Sequence, residues 1–433
     1  MIWAPAFSFV LWSQELTADN LNLSYHTNKR SESVREAINP IEEKKRLVHV
    51  DILRGIAILG IFLVNMSSFH MPILYIDGYD VWTTGLDRLL YMFSDIFAQT
   101  SFYPLFAFLF GFGAIILYER SAEKGMSFPV LFSRRMLFLL FIGCIHAFFI
   151  WHGDILITYA VLGFAFLLFY KVKGKTLLIV GLLLYMIPVM ILSLLMVFTS
   201  LFFSEELATE VTANYELVEQ SQDVYQHGSF IEVTKQRMQD WYYVNNMVGL
   251  VMYLFFIFPF FLLGAGFAKL RWLHEPSLHK RKLIIITIIC FIVGLAIKWL
   301  PYVTVYHTGT TLIQDELGGP LLTFAYITGI TLLVQKDSVH RLLHPLSYIG
   351  KMSMSNYLFQ SIVCTLLFYS YGFGLYGQVS YTTSFILIFV IYGVQWLASY
   401  VWLKHYRFGP MEYVWRWFTY GKRSAMKRQS EKG

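Results

Sequence analysis

Apolar runs of bilayer length recur along most of this sequence, and they constrain its fold more than any single motif. A helix that crosses a membrane needs about 20 predominantly apolar residues. Such runs occupy approximately 51–69, 97–118, 135–151, 154–170, 176–203, 248–268, 283–300, 320–335, 347–370 and 382–403, which predicts about ten spanning helices. Composition agrees. Only 14% of the residues are charged, whereas a soluble globular chain carries about 25%. The expectation is an all-α, polytopic integral membrane helical bundle. It is multi-pass in the cell membrane, and the lipid bilayer is its main partner.

The charges give the stack a direction. Lys44, Lys45 and Arg46 precede the first run, Arg134 and Arg135 the third, and Lys171, Lys173 and Lys175 follow the fourth. Lys269, Arg271, Lys280, Arg281 and Lys282 separate the sixth from the seventh, and the tail from Lys404 to Lys432 is basic. If the runs simply alternate, all these loops share one side. The opposite loops hold Asp77, Asp80, Asp87 and Asp95, the acidic stretch from Glu205 to Asp240, and Asp315 with Glu316. Basic loops stay in the cytoplasm, so both termini are expected there. The net charge of +6 is therefore a topology signal and not a sign of nucleic-acid binding.

The expected organisation has a polar, partly disordered cytoplasmic leader at 1–46 and a transmembrane domain at 47–403. An extracytoplasmic helical loop lies at 204–247. An interfacial helix and basic tail occupy 404–433. The apolar stretch at 1–12 is too short to span, and it lacks the basic flank and cleavage site of a signal peptide. Prolines 104, 188 and 259 predict kinks.

Polar residues within or beside the apolar runs are the candidate functional groups, because such groups are costly in hydrocarbon. Asp51 and Arg54 open the first run, three residues apart on one helix face, and are expected to pair. Asn65 and His70 fall near its far end, Asp95 leads into the second run, and Trp151-His-Gly-Asp154 forms a tight turn between the third and fourth. Asn65, His70, Asp95, His152 and Asp154 are thus expected to meet in one extracytoplasmic pocket. There, a histidine held by a carboxylate can act as a general base. The competing reading makes His152 and Asp154 helix caps.

His146 reads as a satisfied core histidine. Lys298 is a further ionisable group in an apolar run, and Asn356 and Gln360, four apart, read as helix-to-helix glue. Arg54, Arg134 and Arg135 lie at cytoplasmic helix ends. They either anchor to anionic lipid or clamp the phosphates of a donor such as acyl-coenzyme A. Cys144, Cys290 and Cys364 lie in apolar runs without metal-ligand spacing, so no metal site is expected. Walker, dinucleotide, HExxH and GxSxG signatures are absent.

Several blocks resemble the YeiB family of bacterial multi-pass membrane proteins, whose members mostly carry a domain of unknown function. The blocks are Arg46-Leu-Val-His-Val-Asp51-Ile-Leu-Arg54-Gly-Ile-Ala through Asn65, and Tyr103-Pro-Leu-Phe-Ala-Phe-Leu-Phe-Gly-Phe-Gly113. Arg134-Arg135 through His146 with Gly153-Asp154-Ile-Leu, Gly350-Lys-Met-Ser-Met-Ser-Asn356-Tyr-Leu-Phe-Gln360, and Phe408-Gly-Pro-Met-Glu412 complete them. The resemblance covers about residues 46–423.

In its first span the family is similar to transmembrane acyltransferases, which pass an acyl group from a cytoplasmic acyl-coenzyme A to an extracytoplasmic acceptor through a histidine. The resemblance puts Arg54 at that group's arginine position and Asn65 where its histidine would stand. An asparagine cannot act as a general base, so the resemblance implies that His70 or His152 takes that role. Acyl transfer to a small-molecule, lipid or glycan acceptor is one reading. Transport of a small solute along the same polar groups is the other.

Overall fold

The computed structural model describes residues 46–202, 214–304, 306, 308–423 and 425–428. The expected leader, the first part of the 204–247 loop and the end of the basic tail lie outside the described residues. Helix α1 runs Val48–His70, α2 Gly85–Phe97 and α3 Phe102–Glu123. Helix α4, Phe128–Ile145, continues through one π turn, His146–Ile150, towards α5, Leu156–Phe166. Next come α6, Gly174–Phe202, α7, Tyr215–His227, α8, Phe230–Asn245, α9, Met247–Phe256, and α10, Phe258–Lys269. Helix α11 is Lys280–Lys298, α12 Gly319–Leu333, α13 Ser353–Phe368, α14 Tyr381–His405 and α15 Pro410–Tyr420. Apart from one isolated bridge between Tyr406 and Lys427, no extended pairing occurs among the described residues.

Seven helical segments are long and apolar enough to cross a membrane: Val48–His70, Gly85–Glu123, Phe128–Ile150, Gly174–Met196, Met247–Lys269, Thr308–Leu333 and Tyr381–His405. The other three apolar runs also form helices. Helix α5 has 11 residues and α13 has 16, which at about 1.5 Å per residue fall short of a hydrocarbon core about 30 Å thick. Helix α11 is long enough but carries Lys280, Arg281, Lys282 and Lys298. Hydropathy alone does not separate helix from the apolar turns that flank it. After α5, for example, residues 167–172 form turns and a bend.

Backbone contact at glycine fixes the bundle. Gly111 of α3 lies against the carbonyl of Phe261 in α10, and Gly264 of α10 lies against the carbonyl of Phe108 in α3. In the same reciprocal way Gly55 of α1 meets Leu346, and Gly350 meets the Asp51 carbonyl. Small residues let helix backbones approach closely where lipid leaves no hydrophobic drive between helices. The space around these contacts is filled by rings, among them Phe110 with Phe261 at 4.6 Å and Phe108 with Phe267 at 5.0 Å between centroids.

Pro259 marks a real discontinuity. Helix α9 ends at Phe256 and α10 starts at Phe258, with Pro259 in its first turn, where a missing N–H leaves no bond unmade. Pro188, by contrast, lies inside an unbroken α6.

The described part of the 204–247 segment is helical, as α7 and α8. Ser229 and Glu232 start α8 with a reciprocal capping box. Its buried face carries Val233, Gln236, Arg237 and Asp240. The spacing i, i+3, i+4, i+7 is that of a core-facing stripe, yet three of the four residues are strongly polar.

Candidate functional site

At the Asp51 end of α1, Asp51 is buried and accepts from Arg54 Nη1 at 3.0 Å and from Arg46 Nε. The expected Asp51–Arg54 pair therefore forms, with Arg46 as a second partner that the spacing alone did not indicate. Arg135 sits 4.1 Å over the Trp415 ring, and the Trp415 indole donates to the Arg135 carbonyl at 3.1 Å. Arg135 lies within electrostatic reach of both Arg54 and Arg416. Arg416 in turn feels Arg120 and Arg46. Burial, then those two arginines, hold the Arg416 guanidinium below its ordinary pKa, while Tyr420 opposes the shift. Arg416 Nε is buried and has no acceptor among the described residues. Arg134 is exposed.

Helix α15 is placed there by Glu412. This carboxylate accepts the first backbone N–H groups of α13, from Met354 at 2.8 Å and Ser355 at 3.1 Å. A helix N-terminus favours such an anion.

Deeper in the bundle, His146 Nδ1 lies 2.8 Å from Asp154 Oδ1, and His146 Nε2 lies 2.8 Å from Ser361 Oγ. All three residues are buried. Asp154 Oδ2 also accepts from the Ile157 N–H at 2.8 Å, so the carboxylate caps α5 as well as orienting the imidazole. The π turn sets this geometry. It pairs Trp151 N–H with the carbonyl of His146, five residues back, which shifts the register so that His146 faces Asp154. The order hydroxyl, imidazole, carboxylate is the one that lets a base be held in a single tautomer.

His152 belongs to another cluster. Its Nε2 is 3.3 Å from Ser68 Oγ, and its Nδ1 is 3.4 Å from the Tyr225 hydroxyl and 3.7 Å from Asp240 Oδ2. Asp240 accepts from Tyr225 at 2.6 Å, Tyr75 at 2.7 Å and Gln236 at 2.7 Å. Arg237, buried beside them, donates to the Phe148 carbonyl at 3.0 Å.

Burial holds the His152 imidazole below its ordinary pKa of 6.5; Asp240 opposes that shift, and Arg237 and His146 add to it. Below that pH the unfolded chain binds a proton that the native imidazole resists, so stability falls on acidification. The melting temperature in detergent should therefore decline from about pH 6.5 to 5. His152→Gln should decline less over that window. His274, held down to about 4 mainly by burial, contributes equally to both proteins.

Asp95 stands apart from these groups. It accepts from Tyr302 at 2.8 Å and Gln314 at 2.6 Å, and it lines a cavity of about 310 Å³ beyond the His70 end of α1. Neighbouring Lys298 is buried and pairs with Asp315 at 3.2 Å. His70 is fully buried, with neither ring nitrogen in a hydrogen bond of good geometry among the described residues, and packs against Phe368. Asn65 is half-buried on α1.

The single pocket expected for Asn65, His70, Asp95, His152 and Asp154 is thus divided. Asp154 serves His146, His152 faces Asp240, and Asp95 alone of the five lines the cavity. Sequence gives depth along each helix but not rotation about it. Asn356 donates to Ser399 at 3.1 Å and Gln360 to Gln395 at 2.9 Å, which ties α13 to α14.

Sequence reasoning missed Ser361, Asp240, Arg120 and Arg416. Ser361 carried a usable signal, since it lies four residues after Tyr357 on the face that meets His146. Asp240 reads in the sequence only as the end of the acidic stretch from Glu205.

Membrane-length apolar helices enclosing buried polar clusters define a helical membrane protein. Residues 267–422 match a family described as "Protein of unknown function (DUF418)". The chain is 37% identical to the uncharacterized protein YxaH of Bacillus subtilis (strain 168), over 89% of this chain and 96% of that one. It is 29% identical to the uncharacterized protein YeiB of Escherichia coli (strain K12), over 87% and 96% of the two chains. It is 28% identical to an uncharacterized 39.9 kDa protein of Bacillus acidopullulyticus, over 91% and 99%. The chain belongs to this YeiB family, which carries the DUF418 domain.

Proposed function

We propose that the protein transfers an acyl group from a cytoplasmic acyl-coenzyme A to an acceptor on the far side of the membrane. In this reading the chain crosses the membrane ten times with both termini in the cytoplasm, so the Asp51 end faces the donor. The observation that carries it is the gathering of Arg46, Arg54, Arg120, Arg135 and Arg416 at that end, with the buried Arg416 Nε lacking an acceptor among the described residues. Guanidinium groups bind phosphate oxygens in forked pairs, so these residues fit a phosphate-bearing donor.

The donor supplies an activated thioester. His146, oriented by Asp154, takes the proton of the attacking hydroxyl or amine and passes it to the leaving thiolate. His70 and His152, the bases expected from the sequence, are less well suited. The first has no orienting partner among the described residues and the second faces Asp240 across 3.7 Å.

Two measurements test this. Acetyl-coenzyme A should bind the purified protein in nanodiscs, and Arg54→Gln with Arg135→Gln should weaken binding at least about tenfold. Lipid and cell-wall mass spectrometry should show the same acylated species missing from a deletion strain and from a His146→Gln strain. Loss of none, together with wild-type donor binding by the double variant, would overturn the reading.

Transport is the second reading. Lys298, Asp315 and Asp95 form a charged group beside helices interrupted between α11 and α12, a setting that ion-coupled carriers use. Solute uptake lost without any change in acylated species would favour it.

A further inference from the structure

The cavity beyond the His70 end of α1 has a chemistry of its own. At about 310 Å³ it is the size of a small-molecule site. Trp82, Tyr75, Tyr91, Tyr243 and Tyr381 supply aromatic surface, and Asp77 and Asp95 supply two carboxylates. No lysine, arginine or histidine is among the described lining residues.

Both carboxylates are held by neutral donors. Asp77 accepts from the Tyr79 N–H at 2.8 Å and the Tyr306 hydroxyl at 2.8 Å, and Asp95 accepts from Tyr302 and Gln314. Two cations held close to these carboxylates' partners, Arg88 and Lys298, are engaged elsewhere. Arg88 stacks 3.6 Å over the Tyr79 ring and donates to its carbonyl, and Lys298 pairs with Asp315. On the cavity wall, the buried Ser94 hydroxyl faces Tyr381 and makes no hydrogen bond of good geometry.

We propose that this cavity binds an alkylammonium group, with Asp77 and Asp95 balancing its charge and Trp82, Tyr91 and Tyr243 facing its methyl or methylene surface. Aromatic faces attract organic cations through the ring quadrupole, most strongly where water is excluded. A phosphate or carboxylate ligand would meet two uncompensated negative charges and no donor cation. A neutral polyol would leave those charges unbalanced. The Ser94 hydroxyl, which faces Tyr381 on the wall, adds a polar atom for an ammonium N–H or a neighbouring hydroxyl. The inference holds whether the occupant is an acyl acceptor or a transported solute, so it stands or falls apart from the proposed reaction. The alkylammonium group has two sources, a free solute or the headgroup of an ethanolamine lipid.

The test uses the full chain in nanodiscs of phosphatidylglycerol alone, with choline and ethanolamine as probes and 3,3-dimethylbutan-1-ol as the neutral twin of choline. Calorimetry should show saturable choline or ethanolamine binding, with the neutral twin at least about tenfold weaker. Asp95→Asn keeps an acceptor for Tyr302 and should bind at least about tenfold more weakly than wild type. Tyr243→Leu, at the rim, should also weaken binding while its melting temperature stays at the wild-type value. Repeating the titration with phosphatidylethanolamine in the disc separates the sources. Suppressed binding assigns the cavity to the lipid headgroup, and unchanged binding assigns it to a free solute; either supports the inference. Equal affinity for choline and its neutral twin would overturn it. So would the absence of saturable binding of both amines, or full affinity in a folded Asp95→Asn.

Discussion

Replacing Gly264 by alanine should leave little correctly folded protein. A Cβ at that position would lie inside the contact radius of the Phe108 carbonyl oxygen, which belongs to the backbone of α3 and cannot rotate away. The reciprocal contact at Gly111 pins the same two helices, so they cannot slide to make room. The helices must separate, and the ring contacts of Phe108 and Phe110 with α10 separate with them. Overpacking of this kind costs about 3 kcal/mol, more where the obstacle is main chain. Gly393 of α14 is the control, because an added Cβ there meets nothing within 4 Å. Gly393→Ala should be neutral or stabilise by up to about 1 kcal/mol through the helix propensity of alanine. Fluorescence-detected size exclusion after a heating series reads both. Equal melting of Gly264→Ala and Gly393→Ala would refute the close-approach account.

The second large effect is expected at Asp154. Asp154→Ala removes the partner of His146 Nδ1 and the cap of the Ile157 N–H together, and both donors are then stranded in a dry interior. An unsatisfied buried donor costs about 1–3 kcal/mol, so the pair should cost roughly 3 kcal/mol or more. Asp154→Asn keeps an oxygen acceptor and the shape, and should cost about 1 kcal/mol. The two variants distinguish a structural role from a chemical one. If the His146–Asp154 pair only holds α4, α5 and α13 together, function follows abundance in both. If it orients a base, Asp154→Asn folds yet loses about 100-fold or more of the acyl transfer. Ser361→Ala strands only His146 Nε2 and should fall between them in stability.

Much of this architecture was legible before any coordinates. All ten apolar runs are mainly helical, because apolar sequence in hydrocarbon has few ways to pair its own backbone, though only seven described segments are long and apolar enough to cross a membrane. The discontinuity at Pro259 followed from a residue that lacks an N–H. The Asp51–Arg54 pair followed from a spacing of three on one helix face. The glue at Asn356 and Gln360 followed from a spacing of four.

Composition and periodicity act locally, through propensity and the cost of placing polar groups in lipid, and so the sequence by itself determined the helical class, which polar groups stand at the ends of apolar helices, and the family. The pairing of Asp154 with His146 rather than a role beside His152 depended on a π turn, a shift of one residue that no local pattern announces. The arginine cluster joined α1, α3 and α4 to α15, far along the chain at Arg416, and Asp240 of α8 met His152 alongside Tyr225 of α7. These contacts depend on rotation about helix axes and on which helices become neighbours. Only tertiary packing decides that, by closing backbone on backbone at Gly55, Gly111, Gly264 and Gly350.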